Sequence, residues 1–163
     1  MEICFDMKVI FLDIDGVLNT IYTKERINGM IFVEDKYIKI LKEICDKTNA
    51  KVVLSSSWRS GWYDIDNGEC DTRDAKDFIA LRDKLLEFEI ELFDKTPDIS
   101  AMKRGEEIKQ WLEDNKDLNV TNFIIFDDMA IVRPFNRYFI QTSFADGLKE
   151  KYIKKAIKML GED

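Results

Sequence analysis

The chain has 163 residues, of which 45% are hydrophobic and 12% aromatic, a composition that supports one domain over residues 1–163 with a sizeable buried core and argues against disorder. Its 25 basic and 32 acidic side chains give a net charge of −7, which argues against broad attraction to nucleic acid or anionic lipid. The longest apolar runs, such as residues 9–12, have four residues, far short of the roughly 20 that span a bilayer, so we expect no membrane partner.

The five predicted strands are short runs of β-branched and aromatic residues, and three of them are apolar on both faces, as buried parallel strands are. In chain order they are residues 8–12, 51–54, 90–93, 122–126 and 137–141. Amphipathic stretches between and after them predict helices over residues 34–47, 76–89, 104–114 and 148–160. This alternation predicts a doubly wound, mainly parallel α/β sheet.

Residues 64–77 form the most polar segment and begin, like a calcium loop, with Asp-x-Asp. Their glycine and glutamate positions do not fit an EF-hand, so we predict a solvated loop. Just before it, Trp58, Trp62 and Tyr63 are interleaved with Arg59. These rings could stack on nucleobases at the rim of a site or pack the loop onto the body, and we favour packing.

The sequence contains no histidine. This excludes Ser-His-Asp and Cys-His nucleophiles and histidine-ligated zinc, so proton transfer must use carboxylates, thiols, lysine or water. Cys4, Cys45 and Cys70 are odd in number and widely spaced, which predicts thiols rather than a disulfide framework or a structural zinc site. The start of the chain is acidic and lacks the features of a secretory signal, so we expect a cytoplasmic location.

Acidic pairs follow two of the predicted strands. Asp13 and Asp15 come directly after the first strand, and Asp127 and Asp128 come after the fourth. Because the carboxyl ends of parallel strands form one edge of a sheet, the four acids should converge. Clustered carboxylates repel one another, and oxygen-only ligands favour a hard cation, Mg²⁺ above others, together with a substrate phosphate.

Candidate phosphate-binding groups lie nearby in this arrangement. Ser55 and Ser56 follow the second strand, where their hydroxyls and turn amides could donate to phosphate oxygens, and Ser56 or Ser57 could serve in place of Ser55. Lys103 and Arg104 stand at the start of a predicted helix, whose positive end also favours an anion. The combination indicates phosphoryl chemistry.

Four short motifs, in one order over nearly the whole chain, resemble those of the haloacid dehalogenase (HAD) superfamily of phosphotransferases. The first is VIFLDIDGVLN at residues 9–19, the second VVLS ending at residue 55, the third RGEEI from residue 104, and the fourth FDD from residue 126. Within the superfamily, SSSWR at residues 55–59 and the late pairs QT and GL are similar to small uncapped members related to the phosphatase domains of polynucleotide repair enzymes.

The resemblance implies roles for these residues. Asp13 would attack phosphorus and become an aspartyl phosphate, while Asp15 would protonate the leaving oxygen and then deprotonate the attacking water. Mg²⁺ would be held by Asp13, the backbone carbonyl of Asp15 and Asp128, with Asp127 either ligating or orienting a water. Ser55 would donate a hydrogen bond to a phosphoryl oxygen.

The third motif departs from the usual pattern, in which lysine is the commoner residue. Alignment on RGEEI places Arg104 at that position and Lys103 one residue before it, and we prefer Arg104. The resemblance further implies a Rossmann-like sheet with strand order 3-2-1-4-5. The short spacing between motifs leaves no room for a large cap, so an open site could admit a polymeric substrate.

The sequence therefore predicts a Mg²⁺-dependent phosphatase acting on a phosphorylated small molecule or a nucleic acid end. The alternative is a receiver-like signalling module phosphorylated on aspartate, although a receiver carries that aspartate at its third strand and the motif order here differs. Carbon–halogen hydrolysis on the same fold would require neither Asp15 nor Mg²⁺.

Overall fold

The computed structural model describes residues 6–99, 103–130 and 135–162. Its strands are β1 (Met7–Leu12), β2 (Arg26–Ile27), β3 (Met30–Ile31), β4 (Lys51–Leu54), β5 (Leu92–Lys95), β6 (Val120–Asp127) and β7 (Phe139–Gln141). Its α-helices are α1 (Asp35–Thr48), α2 (Arg59–Asp66), α3 (Arg73–Glu87), α4 (Arg104–Asp114) and α5 (Lys151–Leu160). Single 3-10 turns cover Lys116–Leu118 and Asn136–Tyr138.

The main sheet has the order β5-β4-β1-β6-β7, and all its neighbouring strands are parallel. The predicted doubly wound α/β class is confirmed. Its labels differ from the expected 3-2-1-4-5 because the antiparallel hairpin β2-β3, which the sequence analysis did not predict, takes two numbers in the chain order. The order of the sheet reverses next to β1, so the edge between β1 and β6 is where such folds place their sites.

The main sheet is covered on both faces. Successive side chains of a strand point to opposite faces, so each strand contributes to a core on either side. Ile10 and Leu12 of β1 belong to a core shared with α1, α3 and α5, whereas Val9 and Phe11 face the opposite side. There α4 covers the sheet, and the ring of Trp111 meets Phe11 edge to face with 5.4 Å between centroids. Burial on both faces explains why β1 reads as a continuous apolar run.

The loop predicted over residues 64–77 is wrong. The end of α2 and the start of α3 occupy most of it, which leaves a connection of residues 67–72. Thr72 caps α3, since its hydroxyl oxygen accepts a hydrogen bond from the amide of Ala75 at 3.0 Å and its hydroxyl donates to Asp64 at 2.6 Å. The aspartates of this segment are therefore turn and helix residues, and Asp77 is buried.

Other element boundaries shift by a few residues. Helix α4 has the predicted bounds, whereas β5 starts two residues later than predicted, α5 three later, and α3 three earlier. Helix α2 was not predicted at all. The connections from β1 to β4 and from β4 to β5 are described throughout, and they contain the hairpin and three helices rather than a cap domain.

The thiol prediction is confirmed for Cys45 and Cys70, which are free, and Cys4 lies outside the described residues. Burial raises the pKa of Cys45 to about 12, which disfavours the reactive thiolate, and the side chain packs partly buried against the core. Across the described parts of the chain, none of the helices combines the length and apolar character that crossing a bilayer would require.

A buried ion pair joins α4 to the start of α2. Arg59 lies 2.6 Å from Glu107, and its guanidinium also donates to the carbonyl of Ser56 at 3.0 Å. Arg59 also lies 3.3 Å from the carboxylate of Asp98, which is largely exposed. Because Arg104 begins the same helix as Glu107, this pair fixes the helix that carries the predicted phosphate-binding cation.

We expect Glu107→Ala to lower the free energy of unfolding by about 3–5 kcal/mol, because it leaves the buried Arg59 guanidinium without its main partner. Urea unfolding followed by circular dichroism measures the loss. Glu106→Ala is the matched control on the same helix. Glu106 is exposed, and its ion pair with exposed Lys103, at 3.7 Å, is worth less than about 1 kcal/mol. Equal effects of the two substitutions would show that the buried pair does not fix α4.

Candidate active site

Three of the four predicted acids meet at the carboxyl edge of the sheet. Asp13 follows β1, Asp127 ends the neighbouring β6, and Asp128 follows it. One carboxylate oxygen from each lies within 4.8 Å of the other two. The backbone sets this spacing, because the amide of Asp13 donates to the carbonyl of Phe126 at 3.0 Å and so continues the β1-β6 ladder.

Arg104 is the cation that reaches this cluster. Its Nη1 lies 3.0 Å from Asp13 Oδ1 and 3.2 Å from Asp127 Oδ2, and it donates to the carbonyl of Ser55 at 2.6 Å. Lys103 instead points toward Glu106 and is 57% exposed. Of the two predicted phosphate-binding cations, the structure therefore brings only Arg104 to the acids.

The cluster carries more negative charge than one guanidinium balances. Burial, with a further contribution from Asp127, raises the pKa of Asp13 well above its ordinary value, and Arg104 only partly opposes the rise. Burial also raises the pKa of Asp127. Burial lowers the pKa of Arg104, but the two carboxylates outweigh it and the net pKa is raised. An added cation would favour the ionised form of both acids.

The two acids of the Asp127-Asp128 pair have different surroundings. Asp127 accepts from the amide of Met129 at 2.9 Å through Oδ1 and from Arg104 through Oδ2. The carboxylate of Asp128 makes no hydrogen bond to any described residue, while its backbone carbonyl accepts from the side chain of Gln141 at 3.2 Å. Asp128 is thus free to ligate a hard cation such as Mg²⁺ directly, and Asp127 is engaged with the protein.

Gly16 is required by the close approach of Asp128. Its φ of +83° is a conformation that side chains disfavour, and a Cβ at this position would lie 2.4 Å from Asp128 Oδ2. The glycine of the DIDG run therefore leaves room for an acid from the neighbouring strand.

The side chain of Asp15 lies apart from the three-acid group and is held by two neutral donors. Asn19 Nδ2 donates to Oδ1 at 2.9 Å, and Trp58 Nε1 donates to Oδ2 at 3.2 Å. The amide oxygen of Asn19 accepts from the backbone N–H of Gly16 at 2.9 Å. If Asp15 contributes to a metal site, as predicted, it does so through its backbone carbonyl.

The two serines differ in what their hydroxyls do. Ser55 Oγ is buried and has no hydrogen-bond partner among the described residues, so it is free to donate to a bound phosphoryl oxygen. Ser56 Oγ accepts from the amide of Trp58 at 3.3 Å and belongs to the turn that begins α2. The geometry favours Ser55 over Ser56 as the phosphate-binding serine.

The aromatic residues after these serines pack against the body, as favoured. Trp58 is buried and lies 6.3 Å from Phe32, and Trp62 stacks on Phe78 with 5.1 Å between ring centroids. The hydroxyl of Tyr63 donates to the carbonyl of Thr96 at 2.8 Å. A nucleobase platform built from these rings is not what the structure shows.

Sequence reasoning missed the residues that hold the site together. The sequence analysis includes Asn19 only as part of the first motif, Gln141 only as part of a late pair, and Trp58 only as part of SSSWR and as an aromatic residue. Their hydrogen bonds to Asp15 and Asp128 cross between elements, so local pattern carries almost no signal for them. The one local clue is the four-residue spacing from Asp15 to Asn19.

A parallel sheet with two acids after its first strand, an acidic pair at the end of the adjacent strand and a cation at a helix start defines a HAD-type domain. The family model for the HAD domain in Swiss Army Knife RNA repair proteins matches residues 9–153, and the chain belongs to this family. It is a small HAD-superfamily member related to polynucleotide kinase phosphatase domains, which makes it a HAD-type hydrolase. No curated protein and no solved structure matches the chain.

We expect Gly16→Ala to weaken Mg²⁺ binding by about tenfold or more, because its Cβ would displace the Asp128 carboxylate. Isothermal titration calorimetry measures the affinity. Gly29→Ala is the matched control: its φ of +80° imposes the same backbone strain, but nothing lies within 4 Å of a Cβ there. If both variants bind Mg²⁺ as the unmodified chain does, Asp128 is not a ligand.

Proposed function

We propose that this chain is a Mg²⁺-dependent phosphomonoester hydrolase that works through an aspartyl-phosphate intermediate. The observation that carries the proposal is the position of Asp13, whose carboxylate lies within reach of Asp128 on one side and 3.0 Å from Arg104 on another. An acid in that position can attack a phosphorus atom whose oxygens are neutralised by a metal and a guanidinium.

The donor set suits Mg²⁺. It consists of carboxylate oxygens without histidine or cysteine, and because burial raises the pKa of Asp13, a bound cation would favour the ionised form that attacks phosphorus. Asp13, Asp128 and the backbone carbonyl of Asp15 would hold the ion, with Asp127 orienting a water. When bound, the ion supplies positive charge that stabilises the phosphoryl oxygens.

In the first step, a carboxylate oxygen of Asp13 forms a bond to phosphorus while the bond from phosphorus to the ester oxygen breaks. Arg104 and the hydroxyl of Ser55 bind the phosphoryl oxygens and keep the phosphorus in line with Asp13. Asp15 gives its proton to the leaving oxygen, so the alcohol departs neutral.

In the second step, water hydrolyses the aspartyl phosphate. Asp15, now ionised, takes a proton from the water as its oxygen bonds to phosphorus, and the bond between phosphorus and the Asp13 oxygen breaks. Inorganic phosphate is released and both acids return to their starting states. Splitting the reaction lets one residue serve as acid and then as base.

For the substrate, we propose the phosphate at an RNA end. The family description names RNA repair proteins, and the connections after β1 and β4 leave the site without a cap domain over it. The overall charge of −7 does not oppose this, because the field at the phosphate depends on Arg104 and on bound metal.

The cytoplasmic location stays a prediction.

We expect Asp13→Asn to abolish turnover, a loss of about 1000-fold or more, because the amide cannot attack phosphorus. Hydrolysis of para-nitrophenyl phosphate followed over many turnovers measures it, with circular dichroism to show that the fold is retained. EDTA should silence the unmodified chain and added Mg²⁺ should restore it. Retained activity in Asp13→Asn would refute the mechanism. A single phosphoryl group taken up per chain, without turnover, would support the receiver-like alternative.

We expect an oligoribonucleotide with a terminal phosphate to be hydrolysed with a kcat/KM at least about tenfold above that of mononucleotides or sugar phosphates, because an uncapped site leaves the polymer unobstructed. Release of inorganic phosphate from the three substrate classes, compared at one concentration, measures this preference. A higher kcat/KM for sugar phosphates or mononucleotides would contradict the RNA-end proposal and leave the phosphatase chemistry intact.

A further inference from the structure

Asp15 is the acid that the proposed mechanism uses twice, and both of its carboxylate oxygens are held by N–H donors from different segments. Asn19 belongs to the turn that follows β1, whereas Trp58 lies 43 residues from Asp15 and immediately precedes α2. We propose that Trp58 and Asn19 are positioning residues that fix the orientation of the general acid. The inference rests on the proposed function.

The need for such positioning follows from the side chain itself. The carboxylate of an aspartate rotates over a broad range about its last torsion angle. One donor on each oxygen fixes the plane of the group, since rotation would break both hydrogen bonds. Asn19 cannot turn its amide around, because its Oδ1 accepts from the N–H of Gly16 and its Nδ2 must therefore face Asp15.

The indole of Trp58 also limits where the proton of Asp15 can lie. An indole N–H donates and never accepts, so it cannot take the proton from the acid. The amide Nδ2 of Asn19 likewise only donates. The proton of neutral Asp15 must therefore lie on a lone pair that faces neither partner, which leaves it available to the leaving oxygen.

Trp58 itself is held firmly. It is 7% exposed, its ring lies 6.3 Å from Phe32, and its backbone N–H donates to Ser56 Oγ at 3.3 Å. These contacts fix the position of the indole N–H that donates to Asp15. The hydroxyl of Ser56 contributes by holding the backbone of Trp58 rather than by binding phosphate.

A fixed acid matters most when the leaving group is poor. An aliphatic alkoxide needs its proton as the bond to phosphorus breaks, whereas para-nitrophenolate departs as an anion and gains little from general acid catalysis, which contributes roughly 10²–10⁴-fold where it acts. Loss of orientation at Asp15 should therefore slow alkyl esters selectively. A merely structural defect would slow both kinds of substrate alike.

The test is Trp58→Phe, which keeps a ring against Phe32 and removes the N–H. We expect kcat for a ribonucleoside 3′-monophosphate to fall about tenfold or more with KM nearly unchanged, and kcat for para-nitrophenyl phosphate to fall by less than about twofold. Asn19→Ala, which removes the donor to Asp15 without adding a charge beside it, should show the same split.

Trp111→Phe is the matched control, because the indole of Trp111 also donates to an aspartate, Asp94, at 2.8 Å but on a different face of the sheet from the cluster that holds Trp58. It should slow both substrates equally or not at all. In an Asp15→Asn background, Trp58→Phe should cause no further loss with the 3′-monophosphate, since the acid it positions is gone.

Equal losses on both substrates in Trp58→Phe and Asn19→Ala, or no loss on either, would overturn the inference while the phosphatase assignment stands. If the unmodified chain hydrolyses neither substrate, the proposed function fails and the inference fails with it. The two failures are therefore distinguishable in one set of assays.

Discussion

The repulsion among three carboxylates at the end of two adjacent strands is the interaction on which the rest of the site depends. Parallel pairing of β1 with β6 forces Asp13 next to Asp127 and Asp128, and burial makes their charges costly. Arg104 offsets part of this cost and a divalent cation would offset more. The Arg59–Glu107 pair matters to the same balance, because it fixes the helix from which Arg104 reaches the acids.

How much of this could be predicted depends on how local the signal is. The buried strands and the clustering of Asp13 with the Asp127-Asp128 pair follow from apolar runs that end in acids, and α4 follows from its amphipathic pattern. Both signals are carried by residues close together in the sequence. Helix α2 was missed because Arg59–Asp66 is short and contains a glycine, and its helical state depends on packing against α3. The loop predicted over residues 64–77 is wrong because its polar composition suggested a loop, whereas Thr72 caps a helix that begins within the segment.

The contacts that hold the acids could not be predicted because they join distant parts of the chain. The indole of Trp58 reaches Asp15 across 43 residues, and Gln141 reaches the carbonyl of Asp128 from the neighbouring strand β7. Only the fold brings these groups together, so the sequence shows Trp58 and Gln141 as members of short motifs and gives no sign of their contacts with the acids. Gly16 could be predicted only in part. The sequence shows its place in the motif, but only the structure shows that an added Cβ would lie 2.4 Å from the Asp128 carboxylate.

The site separates two electrostatic tasks between two kinds of partner. Asp13 must be ionised to attack, and it faces a guanidinium at 3.0 Å and the acids that would hold a cation. Asp15 must give up a proton and later accept one, and its partners are an amide and an indole, which carry no formal charge. A lysine or arginine in the place of Trp58 would favour the charged form of the acid and hinder its first task. Neutral donors orient the carboxyl group without placing a formal charge beside it, which suits a residue that the proposed mechanism uses in both directions.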